Sequence, residues 1–420
     1  MKNFNEANNY LNGFINSGIK LGLDNIRELC EAIGNPQERL RCIHVAGTNG
    51  KGSICAMMAS ILKAHGYKVG FFSSPHLVSI RERLRINGAA ISEADFTSCV
   101  TELAERAADF LNSGSPPTYF ELITAMGFLH FEKEAYDIAI IEVGMGGRLD
   151  SSNILSPAAS VISSIDFDHT EALGNTLEEI AFEKAGIIKS SAPVISGVIQ
   201  AQAKAVIQKT ACDKGCDYYS LNDDFSVHSE SPGSVSIQSS VMQRTLDFKM
   251  SGDYQLRNLA VAIQTLDALE IALDIEKVNQ ALASYYWPAR MDLLSDGILL
   301  DAAHNPAGIA NIVDEMHGKK WALLFGALNN KDWQSMLEAV LPYCETVYLS
   351  SFDHPKCEDP ETIKSYIYEN YHEISVQICE LDDTLVELRE ANNSIILGSL
   401  YLAGEVLKRY YEGPIPIEIS

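Results

Sequence analysis

The chain has little positive charge and no long hydrophobic run. Its 32 Lys and Arg residues face 56 Asp and Glu residues, which gives a formal net charge of −24 over 420 residues. Nucleic-acid backbones are held by clustered Lys and Arg, and no such cluster occurs here, so we expect no nucleic-acid partner. A membrane-spanning helix needs about 20 apolar residues. No run approaches that length, so we expect no membrane association.

The sequence also lacks a signal peptide and a regular arrangement of cysteines. Its first residues, MKNFNEANNYLNG, contain none of the apolar core that a secretory signal requires. The nine cysteines are odd in number and widely scattered, which favours reduced thiols over a disulfide framework. We therefore expect a cytoplasmic protein. As a separate expectation, the protein is a monomer. At 46% hydrophobic residues, a chain of this length can form two or three domains with large cores.

Apolar strand-like runs alternate with helical stretches along most of the chain, which is typical of a parallel sheet covered by helices on both faces. In the first part the predicted strands are 42–46, 68–73, 137–143, 160–165 and 193–196. Residues 216–250 change to short polar alternations, which predict a small antiparallel extension at the sheet edge. A helix is predicted over 253–271. The first fold is therefore a P-loop-type, mostly parallel α/β domain.

The chain breaks at Pro288 in the run SYYWPAR, and a second alternating series begins there. Its predicted strands are 297–302, 321–326, 346–351, 375–379 and 394–397, with helices between them. We therefore predict a larger nucleotide-binding domain over 1–288 and a smaller Rossmann-like α/β domain over 289–420. A cleft between two such domains is a common place for two substrates to meet.

A glycine-rich turn, HVAGTNGKGS, lies between a predicted strand and a helix predicted over 53–64. Its glycines let backbone N–H groups approach phosphate oxygens, while Lys51 and the helix N-terminus add positive charge. The turn departs from the G-x-x-x-x-G-K-[ST] loop, because Val45 replaces the first glycine and Gly52 replaces the magnesium-binding hydroxyl. Either the turn holds no ligand, or its metal is held from elsewhere. The predicted phosphate-binding residues are Gly47, Thr48, Asn49, Gly50, Lys51, Gly52 and Ser53.

Polar residues follow three of the predicted strands. Ser74 follows the second strand, Glu142 ends the run IAIIE, and His169 closes the run DFDH. Because ligands of open α/β sheets bind at the carboxyl ends of the strands, we expect these residues to meet near the phosphate loop. A hydroxyl, a carboxylate and an imidazole suit magnesium, which prefers oxygen ligands and keeps several waters. Lys184 ends a predicted helix, where a lysine normally balances the helix dipole.

A series of short motifs follows in a fixed order: GTNGKGS, SSPHL, ERLRING, YFE, IIEVGMGGRLDSSN, DHTEALG, EKAGIIK, GDYQLRN, WPAR, DAAHNP and LGSLYLAG. From about residue 20 to about residue 405, the chain resembles the folylpolyglutamate synthases, including bifunctional bacterial forms that are also dihydrofolate synthases. That family lies within the wider Mur-ligase group. Motifs SSPHL and TYFE resemble the bifunctional forms, whereas GDYQLRN, WPAR and GSLYLAG resemble forms that only extend folates, so the resemblance leaves activity on dihydropteroate open.

The resemblance implies an ATP-dependent ligase that phosphorylates a folate or pteroate carboxylate and joins it to the amino group of L-glutamate. It implies Mg²⁺, with K⁺ as an optional further cation, and a carbamate on Lys184 that would make this lysine an anionic metal ligand. The implied catalytic residues are Lys51, Glu142, His169 and Lys184, and the implied metal ligands are Ser74, Glu142, His169 and Lys184.

Further positions match motifs of the family. Implied ATP contacts, besides the phosphate loop, are Asn258, Arg290 and Asp301. Implied substrate contacts are Leu23, with its neighbour Leu21, and Arg83, Thr118, Phe120 and Asp150 for the pterin side, and His304 and Ser399 for the glutamate side.

Two other functions are open at this point. One is a Mur-type ligase of cell-wall precursors, against which the chain shows no obvious extra N-terminal domain and has Gly52 in place of a hydroxyl residue. The other is a nucleotide-binding regulatory module without ligase chemistry. Such a module has no need of Glu142, His169 and Lys184.

Overall fold

The computed structural model describes residues 1–15, 18, 22–111, 116–250 and 252–416. Its strands are β1 (Cys42–Ala46), β2 (Val69–Phe72), β3 (Leu84–Ile86), β4 (Ala89–Ala90), β5 (Ile138–Glu142), β6 (Ala159–Ile162), β7 (Val194–Ser196), β8 (Tyr218–Ser220), β9 (Ser226–Ser231), β10 (Ser234–Gln238), β11 (Gln243–Asp247), β12 (Asp292–Leu293), β13 (Leu299–Leu300), β14 (Trp321–Phe325), β15 (Cys344–Leu349), β16 (Ser375–Ile378) and β17 (Ser394–Leu397). Its α-helices are α1 (Phe4–Asn12), α2 (Asp24–Ala32), α3 (Lys51–Ala64), α4 (Glu93–Arg106), α5 (Ala108–Leu111), α6 (Tyr119–Lys133), α7 (Thr170–Leu173), α8 (Leu177–Ala185), α9 (Ala201–Asp213), α10 (Asp253–Ala268), α11 (Ile275–Ala283), α12 (Pro306–Met316), α13 (Trp333–Val340), α14 (Pro360–Asn370), α15 (Leu381–Glu390) and α16 (Leu400–Leu407).

The larger sheet has eight strands in the order β4-β3-β2-β5-β1-β6-β7-β8. From β2 to β8 in this order the pairs are parallel, and β3 and β4 are antiparallel at one edge. Helices cover both faces of this sheet. On one face, Ile43 and Val45 of β1 pack in a hydrophobic core with α3 and α10. On the other face, Cys42 of β1 packs in a second core with α6. This confirms the predicted mostly parallel sheet. The antiparallel edge strands β3 and β4 were not predicted.

The antiparallel extension exists, but it is not hung on the edge of the larger sheet. Strands β9, β10 and β11 form a separate antiparallel sheet. Its apolar residues Val235, Ile237 and Leu246 are buried in the same core as α10. The small sheet is therefore attached to the domain by packing against this helix. Strand β8, which also lies in 216–250, instead joins the larger sheet in parallel with β7. The predicted position of the extension was therefore wrong.

The smaller sheet has six strands in the order β12-β13-β17-β14-β15-β16. All its pairs are parallel except that of β12 with β13. Helices α12, α13 and α14 cover one face, and α15 and α16 cover the other. This confirms the predicted second α/β fold. The exact boundary at residue 288 stays a prediction.

Two further features of the described chain bear on the sequence analysis. All nine cysteines are free, as predicted. Among the helices of the described residues, none combines the length and the apolar content that a membrane crossing would need.

Arg244 and Asp267 form a buried ion pair between β11 and α10. Both guanidinium Nη atoms lie 2.7 Å from the carboxylate oxygens, and the two side chains are 3% and 2% exposed. Removing one partner of such a pair leaves an uncompensated buried charge. We expect Asp267→Ala to lower the free energy of unfolding by about 3–5 kcal/mol, measured by chemical denaturation.

The control for this prediction is an exposed ion pair. Arg389 pairs with Asp296 at 2.7 Å, but its side chain is 43% exposed. We expect Arg389→Ala to cost about 1 kcal/mol or less, because solvent screens such pairs. Equal losses for the two variants would contradict the assignment of Arg244 and Asp267 as a stabilising buried pair.

Candidate active site

A cavity of about 310 Å³ lies where the carboxyl ends of the larger sheet face the smaller sheet. Its wall contains most of the residues predicted from the sequence. From the N-terminal part these are Gly47, Thr48, Asn49, Gly50, Lys51, Gly52, Ser53, Ser74, Glu142, His169, Lys184 and Asn258. From the C-terminal part they are Arg290, Asp301, His304 and Ser399. The strand-end rule and the family motifs thus converge on one site.

The phosphate loop is held in place by the segment that follows β6. Asn49 N donates to Ser164 Oγ (3.0 Å), and the hydroxyl of Thr48 both donates to Asp166 O and accepts from Asp166 N (3.1 Å each). A Cβ at Gly47 would lie 1.8 Å from Ser163 Oγ, so only glycine fits there. Helix α3 begins at Lys51, within the loop, without a side-chain cap, which leaves its first N–H groups available to an anion.

Trp287 explains why the loop carries glycine where a hydroxyl residue is usual. A Cβ at Gly52 would lie 2.9 Å from Cζ2 of the Trp287 ring. That ring packs in turn on Phe71, with 5.5 Å between ring centroids. A side chain at position 52 would therefore displace the ring. The missing hydroxyl is evident from the sequence, but its cause appears only in the structure.

Glu142 is the buried carboxylate of the predicted metal site. It is 4% exposed and accepts a hydrogen bond from Ser74 N (3.2 Å). Burial raises the pKa of Glu142, although Lys51 and Arg290 oppose the rise. A nearby cation would stabilise its charged form.

His169 begins α7 in a left-handed backbone conformation, and burial lowers the pKa of its imidazole. Within the described residues there is no group of three or more His, Cys, Asp or Glu side chains that could hold a metal. A metal here must therefore take hydroxyl, water or phosphate ligands as well. Magnesium accepts such ligands readily.

Lys184 is not an ordinary lysine at a helix end. It is 4% exposed, and its Nζ donates to Gly47 O (2.9 Å) inside the cavity. Lys51 donates to the same oxygen from the other side (3.0 Å). Burial, together with the Lys51 ammonium, lowers the pKa of Lys184 to about 7. A neutral amine is therefore accessible near neutral pH, and that is the form that reacts with electrophiles such as CO₂.

Asp168 connects the two walls of the cavity, and its importance was not predicted. Its carboxylate binds Lys331 Nζ, lies 3.8 Å from His304 Nε2, and accepts from Asn305 Nδ2 (3.1 Å). Burial alone would raise the pKa of Asp168, but Lys331 and the two histidines outweigh it and hold the pKa below its usual range. Lys331 lies in the loop after β14, so the strand-end rule could have identified it.

Arg290 lies in the link that enters the smaller sheet, and Asp301 follows β13 of that sheet. The carboxylate of Asp301 accepts from Met291 N and Ala303 N, both at 2.8 Å. Arg290 donates to Ala289 O (2.8 Å), and Ala289 and Met291 on either side have left-handed φ values of 54° and 49°. Asp301 thus fixes the loop from which Arg290 reaches the cavity wall.

The remaining predicted substrate residues lie outside this cavity wall. Asp150 accepts from Gly144 N and Met145 N (3.0 Å each) and from Ser152, so its carboxylate holds the turn after β5. Ser152 bonds in turn to the buried His44 (2.8 Å).

The other four predicted substrate residues take structural positions. Phe120 packs against Gly144, Thr118 caps α6, Arg83 donates to His76 Nδ1 (3.0 Å), and Leu23 precedes α2. Leu21 lies outside the described residues. The pterin role of all these positions stays a prediction.

The matching family models define the class of protein. A model of the Mur ligase middle domain matches residues 45–266, and a model of the Mur ligase glutamate ligase domain matches residues 289–397. The first match contains the phosphate loop, Glu142 and Lys184, and the second contains Asp301 and His304. The chain is therefore an ATP-dependent ligase of the Mur type.

Individual relatives narrow the class to a family. The chain is 33% identical to the dihydrofolate synthase/folylpolyglutamate synthase of Bacillus subtilis over 97% of this chain and 99% of that protein. It is 33% identical to the folylpolyglutamate synthase of Lacticaseibacillus casei over 96% and 98%. The structure of Escherichia coli FolC in complex with DHPP and ADP matches with a TM-score of 0.88 and 26% identity, over 97% of this chain and 98% of that chain. The chain belongs to the folylpolyglutamate synthase and dihydrofolate synthase family, which sets aside the cell-wall ligase and the regulatory module.

The packing of Trp287 on the phosphate loop gives a testable prediction. We expect Gly52→Ala to lower stability by about 1–3 kcal/mol, because the added methyl group overpacks the site. Trp287→Phe removes the ring atoms nearest to Gly52, so the double variant should recover part of the loss. Thermal unfolding of the two single variants and the double variant measures the coupling. Strictly additive losses would show that Trp287 does not restrict position 52.

Proposed function

We propose that the protein adds L-glutamate to a folate through an acyl phosphate, with release of ADP and phosphate. The observation that carries this proposal is the convergence of Lys51 and Lys184 on Gly47 O, beside the buried Glu142. The ammonium group of Lys51, at a glycine-rich helix N-terminus, suits a polyphosphate. Relatives solved with ADP, with DHPP, and with AMPPCP and folate support nucleotide and folate as the substrates.

The first step is phosphoryl transfer. A carboxylate oxygen of the folate attacks the γ-phosphorus of ATP, the bond to the β,γ-bridging oxygen breaks, and ADP leaves with that electron pair. Both reactants are anionic, so their approach needs positive charge at the site. Lys51 supplies it from the phosphate loop, and Arg290 supplies it from the opposite wall.

The second step forms the amide. The amino group of glutamate attacks the carbonyl carbon of the acyl phosphate, loses a proton, and phosphate leaves. Burial lowers the pKa of His304 to about 4, so its imidazole is neutral. With Nδ1–H donating to Ala302 O (3.0 Å), Nε2 is left as an acceptor. We infer that His304 and the neighbouring Ser399 orient the amino acid from the C-terminal wall.

Magnesium fits the residues at the ends of β2, β5 and β6. Glu142, Ser74 and His169 would hold it, and when bound it would neutralise phosphate charge. The lowered pKa of Lys184 supports a carbamate there, formed when the neutral amine adds CO₂ and releases a proton. The carbamate would provide a further anionic ligand. K⁺ is a further cation that such a charge could bind.

We further propose that the protein acts as a monomer in the cytoplasm. The nine free cysteines suit a reducing compartment.

A turnover assay tests the proposed reaction. We expect ADP release to require both L-glutamate and a folate, with tetrahydrofolate as acceptor. Dihydropteroate measured in parallel decides whether the protein also makes dihydrofolate. The product is identified by mass spectrometry as the acceptor plus one glutamyl unit. ADP release that is the same without glutamate would overturn the proposal.

Lys184 gives a second prediction. We expect Lys184→Ala to lower kcat by about 10²–10³-fold, because a charged group of the reaction centre is lost. Small carboxylates such as acetate should restore part of the activity in place of the carbamate. Lys204→Ala is the control, since Lys204 pairs with Asp223 away from the cavity. An unmodified Lys184 in a high-resolution map obtained with bicarbonate would contradict the carbamate.

A further inference from the structure

Asn49 in the wall of the cavity and Asn305, which follows the wall residue His304 of the C-terminal part, form a reciprocal amide pair. Asn49 Nδ2 donates to Asn305 Oδ1 (3.2 Å), and Asn305 Nδ2 donates to Asn49 Oδ1 (3.1 Å). Asn49 belongs to the phosphate loop, and Asn305 precedes α12 of the C-terminal part, 256 residues away. Such a pair requires both amides to face each other, so it forms only in one relative arrangement of the two walls.

Asn305 has two further partners that fix its orientation. Its Oδ1 also accepts from Gly308 N (2.7 Å), as the N-cap of α12, and its Nδ2 also donates to Asp168 Oδ2 (3.1 Å). Asn305 is 2% exposed. A buried amide that loses its partners costs free energy. The position of Asn305 is therefore set by α12, and the Asn49 side chain must match it.

Asn49 and Asp168, the two residues of the N-terminal wall that bind Asn305, lie next to residues of the proposed reaction centre. Asn49 is followed by Gly50 and Lys51 in the phosphate loop, and Asp168 is followed by His169. Asp168 also binds Lys331 Nζ, and both of these side chains are about one-tenth exposed. A continuous chain of contacts thus runs from the phosphate loop to two loops of the C-terminal part.

We propose that Asn305 is a positioning residue that couples the phosphate loop to the C-terminal wall. Nucleotide binding to the phosphate loop then favours closure of the cavity. Closure in turn strengthens nucleotide binding by the same factor, because coupling between two equilibria is reciprocal. The proposal rests on the proposed function, in that the ligand of the loop is taken to be ATP. Asn305 acts through Asn49 and does not touch the reacting atoms.

The coupling is tested by a double-mutant cycle on nucleotide binding. Asn305→Ser keeps an oxygen that caps α12 and removes the amide that pairs with Asn49 and Asp168. Asn49→Ala removes the other half of the pair. We expect each single variant to weaken AMPPCP binding about tenfold, and the double variant to bind no more weakly than either single, because the two changes break one interaction. Isothermal titration of the full chain measures the three affinities.

Asp359→Ala is the matched control for loss of a helix cap. Asp359 caps α14 through Glu361 N (3.0 Å) and lies outside the cavity wall. It should lower the unfolding temperature and leave AMPPCP affinity unchanged. The proposal is overturned if the double variant loses about a hundredfold, as independent changes would. It is also overturned if Asn305→Ser changes only the unfolding temperature.

The same titration separates this inference from the proposed function. Binding of AMPPCP needs no acceptor and no turnover, so the coupling between Asn49 and Asn305 can appear in a protein that makes no glutamyl product. That result would support the inference and refute the ligase reaction. Turnover with glutamate and folate, but with independent effects of the two asparagines, would refute the inference alone.

Discussion

The backbone oxygen of Gly47 is the point on which the site depends, because two lysine side chains donate to it. Lys51 and Lys184 approach it at 3.0 and 2.9 Å. Burial, and then the repulsion between the two ammonium groups, lower the pKa of Lys184. An anionic ligand relieves this repulsion, as would conversion of Lys184 to a carbamate. The site is therefore electrostatically incomplete without negative charge.

Close packing around the phosphate loop determines where a metal can be held. Ser163 leaves no room for a side chain at Gly47, and Trp287 leaves none at Gly52. The second contact removes the hydroxyl that usually follows the lysine of a phosphate loop. Ligands of the proposed metal would therefore come from other strand ends, and Ser74 and Glu142 lie together at two of them. The link between the two parts of the chain thus influences the chemistry of the loop.

Much of the fold could be predicted from the sequence, since buried parallel strands read as apolar runs. Strand β1 has the predicted bounds, 42–46, and the strand-end rule brought Ser74, Glu142 and His169 to one cavity. Strands β3 and β4, of three and two residues, are too short to carry such a signal. The Asn49–Asn305 pair was also beyond prediction, because neither residue has a local pattern that indicates a partner 256 positions away.

The two walls of the cavity carry different groups, and in the proposed reaction these groups serve different steps. The N-terminal wall carries Lys51 and the uncapped N-terminus of α3, which suit the approach of two anions during phosphoryl transfer. The C-terminal wall carries the neutral His304 and the hydroxyl of Ser399, which suit an amine that must lose a proton. An acyl phosphate formed at the first wall meets its acceptor only when the second wall is in place. Contacts that hold the walls together, such as those of Asp168, therefore belong to the chemistry of amide formation as well as to the stability of the fold.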